Sequence, residues 1–298
     1  PTLWLVDTLF VAVRDGILTW AGFEDMFSGL ASLGVRSLEL AVSREPADRS
    51  KEAALPTPLG FDVSTDDGKA ALRQVLRAKD VSVCAILLDN DFAREDLDAE
   101  VRYVVEACEA DHELGVNVAR INAVMREIPG LSVPGHQKRA VKGIAACLEQ
   151  LEGLGVSLAI ENHGVICNRV GFLLRLLEEV DSEWLGLTLD TGNFYWYGYP
   201  LEDIQDIVYG FGPFVKHTHI KNACVPDGQK ERKRKPGEVM MAPLYEGDID
   251  LRVVVGNLRD AGYDCDLTIE DESLGRFTPE QRRQVLRKDA EFMKSLLA

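Results

Sequence analysis

Long hydrophobic runs are missing from this 298-residue chain. No stretch approaches the roughly 18 apolar residues that a membrane-spanning helix needs. Cysteine is sparse: Cys84, Cys108, Cys147, Cys167, Cys224 and Cys265 are scattered and form no CxxC pair. Most lie in apolar surroundings, where cysteine behaves as a small buried hydrophobe. A disulfide framework is not expected at this size, which points to a reducing, cytoplasmic compartment. Basic residues are in deficit, with 33 Lys+Arg against 49 Asp+Glu, a formal charge of -16 and a pI near 4.8. Such a surface repels phosphate backbones and anionic lipid, which sets aside nucleic acid and membrane as partners. The N-terminal run PTLWLVDTLFVAVRDG has no basic leader and contains Asp7, so it reads as a buried strand rather than a signal peptide.

What is present alternates. The β-rich runs are Leu3–Leu9, Ser37–Ala41, Val81–Leu88, Val116–Asn122, Ser157–Glu161, Leu185–Asp190, Phe214–Ile220 and Cys265–Glu270. Most are mainly apolar, as parallel strands covered on both faces should be. Between them apolar residues recur at helical spacing: Phe23, Met26, Phe27, Leu30 and Leu33; Val141, Ile144, Ala145, Leu148 and Leu151; Leu286, Ala290, Met293 and Leu297. Thr278, Pro279 and Gln281 offer an N-cap, a first-turn proline and a capping-box glutamine. Asp250 can cap a helix from Leu251, and Gly262 can end it. Eight β/α units in about 300 residues suit a single (β/α)8 TIM barrel spanning residues 1–298, of the α/β class. The alternative, an open doubly wound sheet, lacks its Gly-rich dinucleotide fingerprint after the first strand.

Four successive apolar strands close on a polar, metal-competent side chain. They read SLAIE to Glu161, LGLTLD to Asp190, VKHTH to His219 and LTIE to Glu270. In a parallel barrel these ends share one rim, where active sites are built. Twenty-nine residues separate 161 from 190 and again 190 from 219, about one β/α unit each. The last gap, from 219 to 270, is 51 residues and leaves room for a lid. Three carboxylates and one imidazole make a hard, oxygen-rich set suited to a divalent metal, Mn²⁺ or Mg²⁺ first, with Co²⁺ or Zn²⁺ also compatible. Such a metal could polarise a hydroxyl and a carbonyl of a sugar-like substrate and stabilise the oxyanion of an enediolate, while a neighbouring carboxylate moves the proton.

The motifs LAIENHG, LTLDTGN, KHTHIKN and LTIEDES resemble those of the xylose-isomerase-like TIM barrels. That superfamily includes ketose 3-epimerases, hydroxypyruvate isomerase, inosose dehydratase and the AP-endonuclease family 2 branch. The likeness is clear from Val156 to Asp271 and architectural upstream. It implies that Glu161, Asp190, His219 and Glu270 hold the metal, with Glu161 and Glu270 also the acid/base pair, and His219 rather than His217 the ligand. It further implies a homo-oligomer, dimer or tetramer, with a partner subunit as a further option. The pattern departs from the epimerases at Asn193, where they commonly place a histidine, and at Lys221 and Asn222, where they have an arginine. The expected activity is therefore a metal-dependent sugar isomerase or epimerase, with a lyase or dehydratase acting on a keto-sugar or keto-inositol as the alternative and a non-catalytic binding barrel as a third. Nuclease chemistry is set aside. The DNA-repair branch needs several more histidines, and this chain has five in all, at 112, 136, 163, 217 and 219.

Other residues carry a plain reading beside a functional one. His163, Asn193, Lys221, Glu39 and His217 are candidates to bind substrate. Equally, His163 and Lys221 can be loop residues, His217 can make a structural hydrogen bond, and Glu39 can be structural. The basic run Gln229–Lys235 reads as a solvated loop or subunit contact, with a cover over the active-site mouth as the option. Tyr195, Trp196 and Tyr197 could line an apolar part of the pocket; Trp4, Trp20, Trp184 and Trp196 read as core or pocket wall.

Overall fold

The computed structural model describes residues 9–45 and 54–297. The strands run in chain order as β1 (Phe10–Arg14), β2 (Ser37–Ala41), β3 (Ser82–Leu87), β4 (Val118–Ile121), β5 (Ser157–Glu161), β6 (Leu185–Asp190), β7 (Val215–His219), β8 (Asn222–Cys224), β9 (Met240–Ala242) and β10 (Asp266–Ile269). Eight of them form one parallel sheet in the order β10-β1-β2-β3-β4-β5-β6-β7. The sheet closes through Ile220, just past β7. Its amide donates to the Thr268 carbonyl at 2.7 Å, and its carbonyl accepts from the Glu270 amide at 3.0 Å. The architecture is a (β/α)8 barrel.

The sequence shows why. Strands β5 and β6 are buried at every position, so both faces must be covered, and helices do that from outside. Local signals fix the helix ends. Thr278 and Gln281 form the expected capping box before Pro279–Ser295, and Asp250 accepts the Arg252 amide at the start of Leu251–Asp260. Ser132 caps Val133–Gln150, with proline in its first turn. No helix among the described residues is long and apolar enough to cross a membrane.

The first strand differs from expectation. Residues 3–8 of the expected strand Leu3–Leu9, with Trp4, lie outside the described residues, and the strand that enters the barrel is Phe10–Arg14. Hydrophobicity runs unbroken through LFVAV, so it could not say which part pairs. Pairing decides: Val13 lies against both Ile269 and Leu38, and a helix starts at once on Asp15.

The long connection after β7 is ordered. Strands β8 and β9 form an antiparallel hairpin, and the Asn222 amide ties it down by donating to the carbonyls of Leu244 and Ile249, both at 3.0 Å. The basic run lies in this hairpin's loop and packs on the segment after β6. The Arg234 amide donates to Gly198, the Leu201 amide donates to Lys230, and the Arg234 guanidinium stacks 4.1 Å from the Tyr195 ring centroid. Gly198 has φ +112, and a Cβ there would lie 2.1 Å from the Arg234 carbonyl oxygen. Tyr195 is therefore not pocket wall. It is buried, and its hydroxyl donates to Asp248 at 3.0 Å.

Candidate metal centre

Strands β5, β6 and β7 end on Glu161, Asp190 and His219, and Glu270 follows β10 directly. Parallel pairing brings Asp190 level with His219. All four side chains are buried, and one ligand atom from each lies within 4.8 Å of the others. Three atoms in this cluster, Asp190 Oδ2, His219 Nδ1 and Glu270 Oε2, are buried with no hydrogen-bond partner. Polar atoms buried in that way are costly unless something compensates them. Two carboxylate oxygens and an imidazole nitrogen aimed at one point fit a divalent cation of the oxygen-preferring type.

The remaining atoms of these residues are already held. Asp190 Oδ1 accepts from the amides of Gly192 at 2.9 Å and Asn193 at 2.8 Å. Glu161 Oε1 accepts from the Asn193 side-chain amide at 3.1 Å, and Glu161 Oε2 from Arg120 Nε at 2.6 Å. Glu270 pairs through Oε1 with Arg14. His219 Nε2 lies 2.9 and 3.0 Å from the two oxygens of Glu39. Glu39 therefore holds the proton on Nε2 and leaves Nδ1 facing the carboxylates, 2.9 Å from Glu270 and 3.6 Å from Glu161.

Charge follows geometry. Burial pushes the Glu161 carboxyl up, but Arg120, His163 and His219 outweigh it and hold it well below the usual range. Burial likewise raises Glu270, and His219 and Lys221 pull it well below. Asp190 goes the other way: burial outweighs Lys221, and Glu161 and Glu270 add repulsion, so it is pushed up to about 7. Burial lowers His219, yet Glu270, Glu39 and Glu161 raise it well above an ordinary imidazole. The cluster attracts positive charge at Nδ1, which a proton or a divalent cation can supply.

The other expected residues fall into two groups. His163, Asn193 and Lys221 are at the mouth. The half-exposed His163 has Nδ1 3.3 Å from Arg120 Nη2, Asn193 is committed to Glu161, and Lys221 reaches Asp190 and Glu270. Glu39 and His217 are not in position for substrate. Glu39 is fully buried, and its Oε1 also lies 3.0 Å from His217 Nε2; His217 Nδ1 lies 2.9 Å from Asp266. Burial lowers His217, but Asp266 and Glu39 raise it to about 9, so it is an imidazolium bridging two carboxylates beneath the centre. Glu39 sits below the rim because Leu40 and Ala41 still follow it in β2.

Arg14, Arg120 and Asp266 were missed. Each interrupts or bounds an apolar strand, FVAVR, VARI and DLTI, which signals a buried partner without naming it.

The profile of the xylose isomerase-like TIM barrel family matches residues 27–296. The chain belongs to this family. Solved structures with the same fold include the IolI protein with a bound zinc atom, 15% identical with a TM-score of 0.69, over 94% of this chain and 96% of that one. D-allulose 3-epimerase from Methylomonas sp. in complex with D-allulose is 16% identical with a TM-score of 0.66, over 97% and 98%. The probable 3-DHS dehydratase AsbF from Bacillus anthracis is 16% identical with a TM-score of 0.64, over 96% and 98%. The chain spans less than half the length of the curated relatives it matches. One is an uncharacterized protein of Methanocaldococcus jannaschii, 27% identical over 136 residues, which are 44% of this chain and 42% of that protein.

Proposed function

We propose that this barrel is a divalent-metal-dependent isomerase or epimerase of a sugar or keto-sugar, with Glu161, Asp190, His219 and Glu270 as metal ligands. The observation that carries the proposal is the convergence beside Glu161 of Asp190 Oδ2, His219 Nδ1 and Glu270 Oε2, three buried atoms that make no hydrogen bond. A divalent cation bound there would supply Lewis acidity to a substrate carbonyl and hydroxyl. Glu161 and Glu270 act as the acid/base pair: one, as the carboxylate, takes the proton next to the carbonyl, and the other, entering the turnover protonated, gives its own proton to the enediolate. Arg120 and Arg14 hold these two carboxylates in place. Mn²⁺ is the expected metal on donor hardness, and the IolI structure carries zinc in the same fold. A cytoplasmic homo-oligomer acting on a small carbohydrate remains the wider picture proposed.

One observation favours a second reading. Lys221 Nζ lies 3.0 Å from Glu270 Oε2. An ammonium beside a base can protonate a leaving hydroxyl, as a dehydratase or lyase needs. The test is turnover of ketoses and keto-inositols by Mn²⁺-loaded protein in D₂O. Isomerisation or epimerisation leaves deuterium on carbon with composition unchanged, whereas elimination releases water or a second product. Glu270→Gln should abolish either. No turnover with any metal would leave a non-catalytic barrel.

A further inference from the structure

Lys221 is the first residue after Ile220, which closes the barrel, and its side chain is 3% exposed. Its Nζ lies 3.0 Å from Asp190 Oδ2 and 3.0 Å from Glu270 Oε2. These are two of the three atoms without a hydrogen-bond partner. The ammonium is near enough for ion pairing but is not aligned to donate to either. A third carboxylate, Glu272, offers Oε1 at 3.3 Å and is 39% exposed at the rim.

The base of this side chain is fixed. Thr191 Oγ1 donates to the Lys221 carbonyl at 2.7 Å and accepts from the Lys221 amide at 2.9 Å. The Lys221 Cβ packs so closely on Gly192 that a Cβ there would lie 2.7 Å away. Freedom is therefore confined to the outer methylenes and the ammonium, which can reach Glu272 without any backbone movement.

Resting on the metal reading above, we infer that Lys221 is a built-in competitor for the cation. Its ammonium and the divalent ion exchange on Asp190 Oδ2 and Glu270 Oε2, and Glu272 receives the ammonium when the ion binds. Two positive charges on the same pair of oxygens repel too strongly to share them. The exchange keeps the buried carboxylates neutralised before metal arrives and makes metal binding reversible. It also leaves a displaced ammonium beside the open side of the centre, where substrate oxygens would lie.

The test uses the full chain stripped of metal and titrated with Mn²⁺. Lys221→Met should bind Mn²⁺ at least about tenfold more tightly than the unmodified protein, and its metal-free form should melt at a lower temperature. Acetic anhydride labelling, read by mass spectrometry, separates exchange from a fixed charge. Mn²⁺ should increase acetylation of Lys221 in the unmodified protein and leave Lys216 unchanged. Tighter binding by Lys221→Met with unchanged labelling would overturn the exchange, and so would equal or weaker binding by the variant. Absence of Mn²⁺ binding by both proteins would overturn the metal centre itself, and the exchange with it.

Discussion

Buried carboxylates occur in two settings in this barrel, and Glu161 and Glu270 in the first behave in the opposite way to Asp111 in the second. At the mouth, Glu161, Asp190 and Glu270 converge, and each has a cation close by in Arg120, Lys221 and Arg14. In the helix Leu97–Leu114, on the outer layer, Asp111 is just as buried but both its carboxylate oxygens lack a hydrogen-bond partner. Burial alone drives the Asp111 carboxyl well above its ordinary range. Burial also opposes charge at Glu161, but Arg120, His163 and His219 together outweigh it. Burying an acid therefore does not mark a site; acids that converge, with Glu161 and Glu270 held well below the usual range by nearby cations, do.

The comparison breaks most severely at Arg120. Arg120→Met strips the buried Glu161 of its nearest counter-ion, and the protein should lose about 3–5 kcal/mol of stability, read as a fall in denaturant midpoint. A loss no larger than that of an exposed arginine would show that Glu161 does not depend on its counter-ion. Next is Glu39→Gln, which removes the carboxylate that sets the His219 tautomer. Divalent-metal affinity should fall about 10–100-fold while the fold persists, and an unchanged affinity would make Glu39 a packing residue only. The smallest effect belongs to Asp111→Asn, which should stabilise the protein by about 1 kcal/mol at pH 7. The sign follows from the raised carboxyl. The native state keeps the proton longer than the unfolded chain, so the Asp111 contribution is intact below about pH 4 and is lost as pH rises. The gain from asparagine should therefore vanish near pH 4, and a pH-independent gain would contradict a raised Asp111 carboxyl.

Much of this was legible because strand ends in a parallel barrel are set by local pattern. Ser37–Ala41, Ser157–Glu161 and Leu185–Asp190 are strands with the bounds the sequence suggested. The four candidate ligands could be proposed from spacing because each closes its own strand. What escaped depends on depth and on partners across the barrel. Glu39 looked like a rim residue, but its distance from the end of β2 puts it on His217 and His219. Arg120 and Glu161 are 41 residues apart, and only the pairing of β4 with β5 makes them neighbours. The start of the barrel was misplaced because an unbroken apolar run gives no register until β10 and β2 supply it.

The most direct test is calorimetric titration of chelator-treated protein with Mn²⁺, beside Asp190→Ala. The account predicts one ion bound per chain by the unmodified protein and none by the variant. A protein that binds no divalent metal, or binds it equally well without Asp190, would contradict the metal centre.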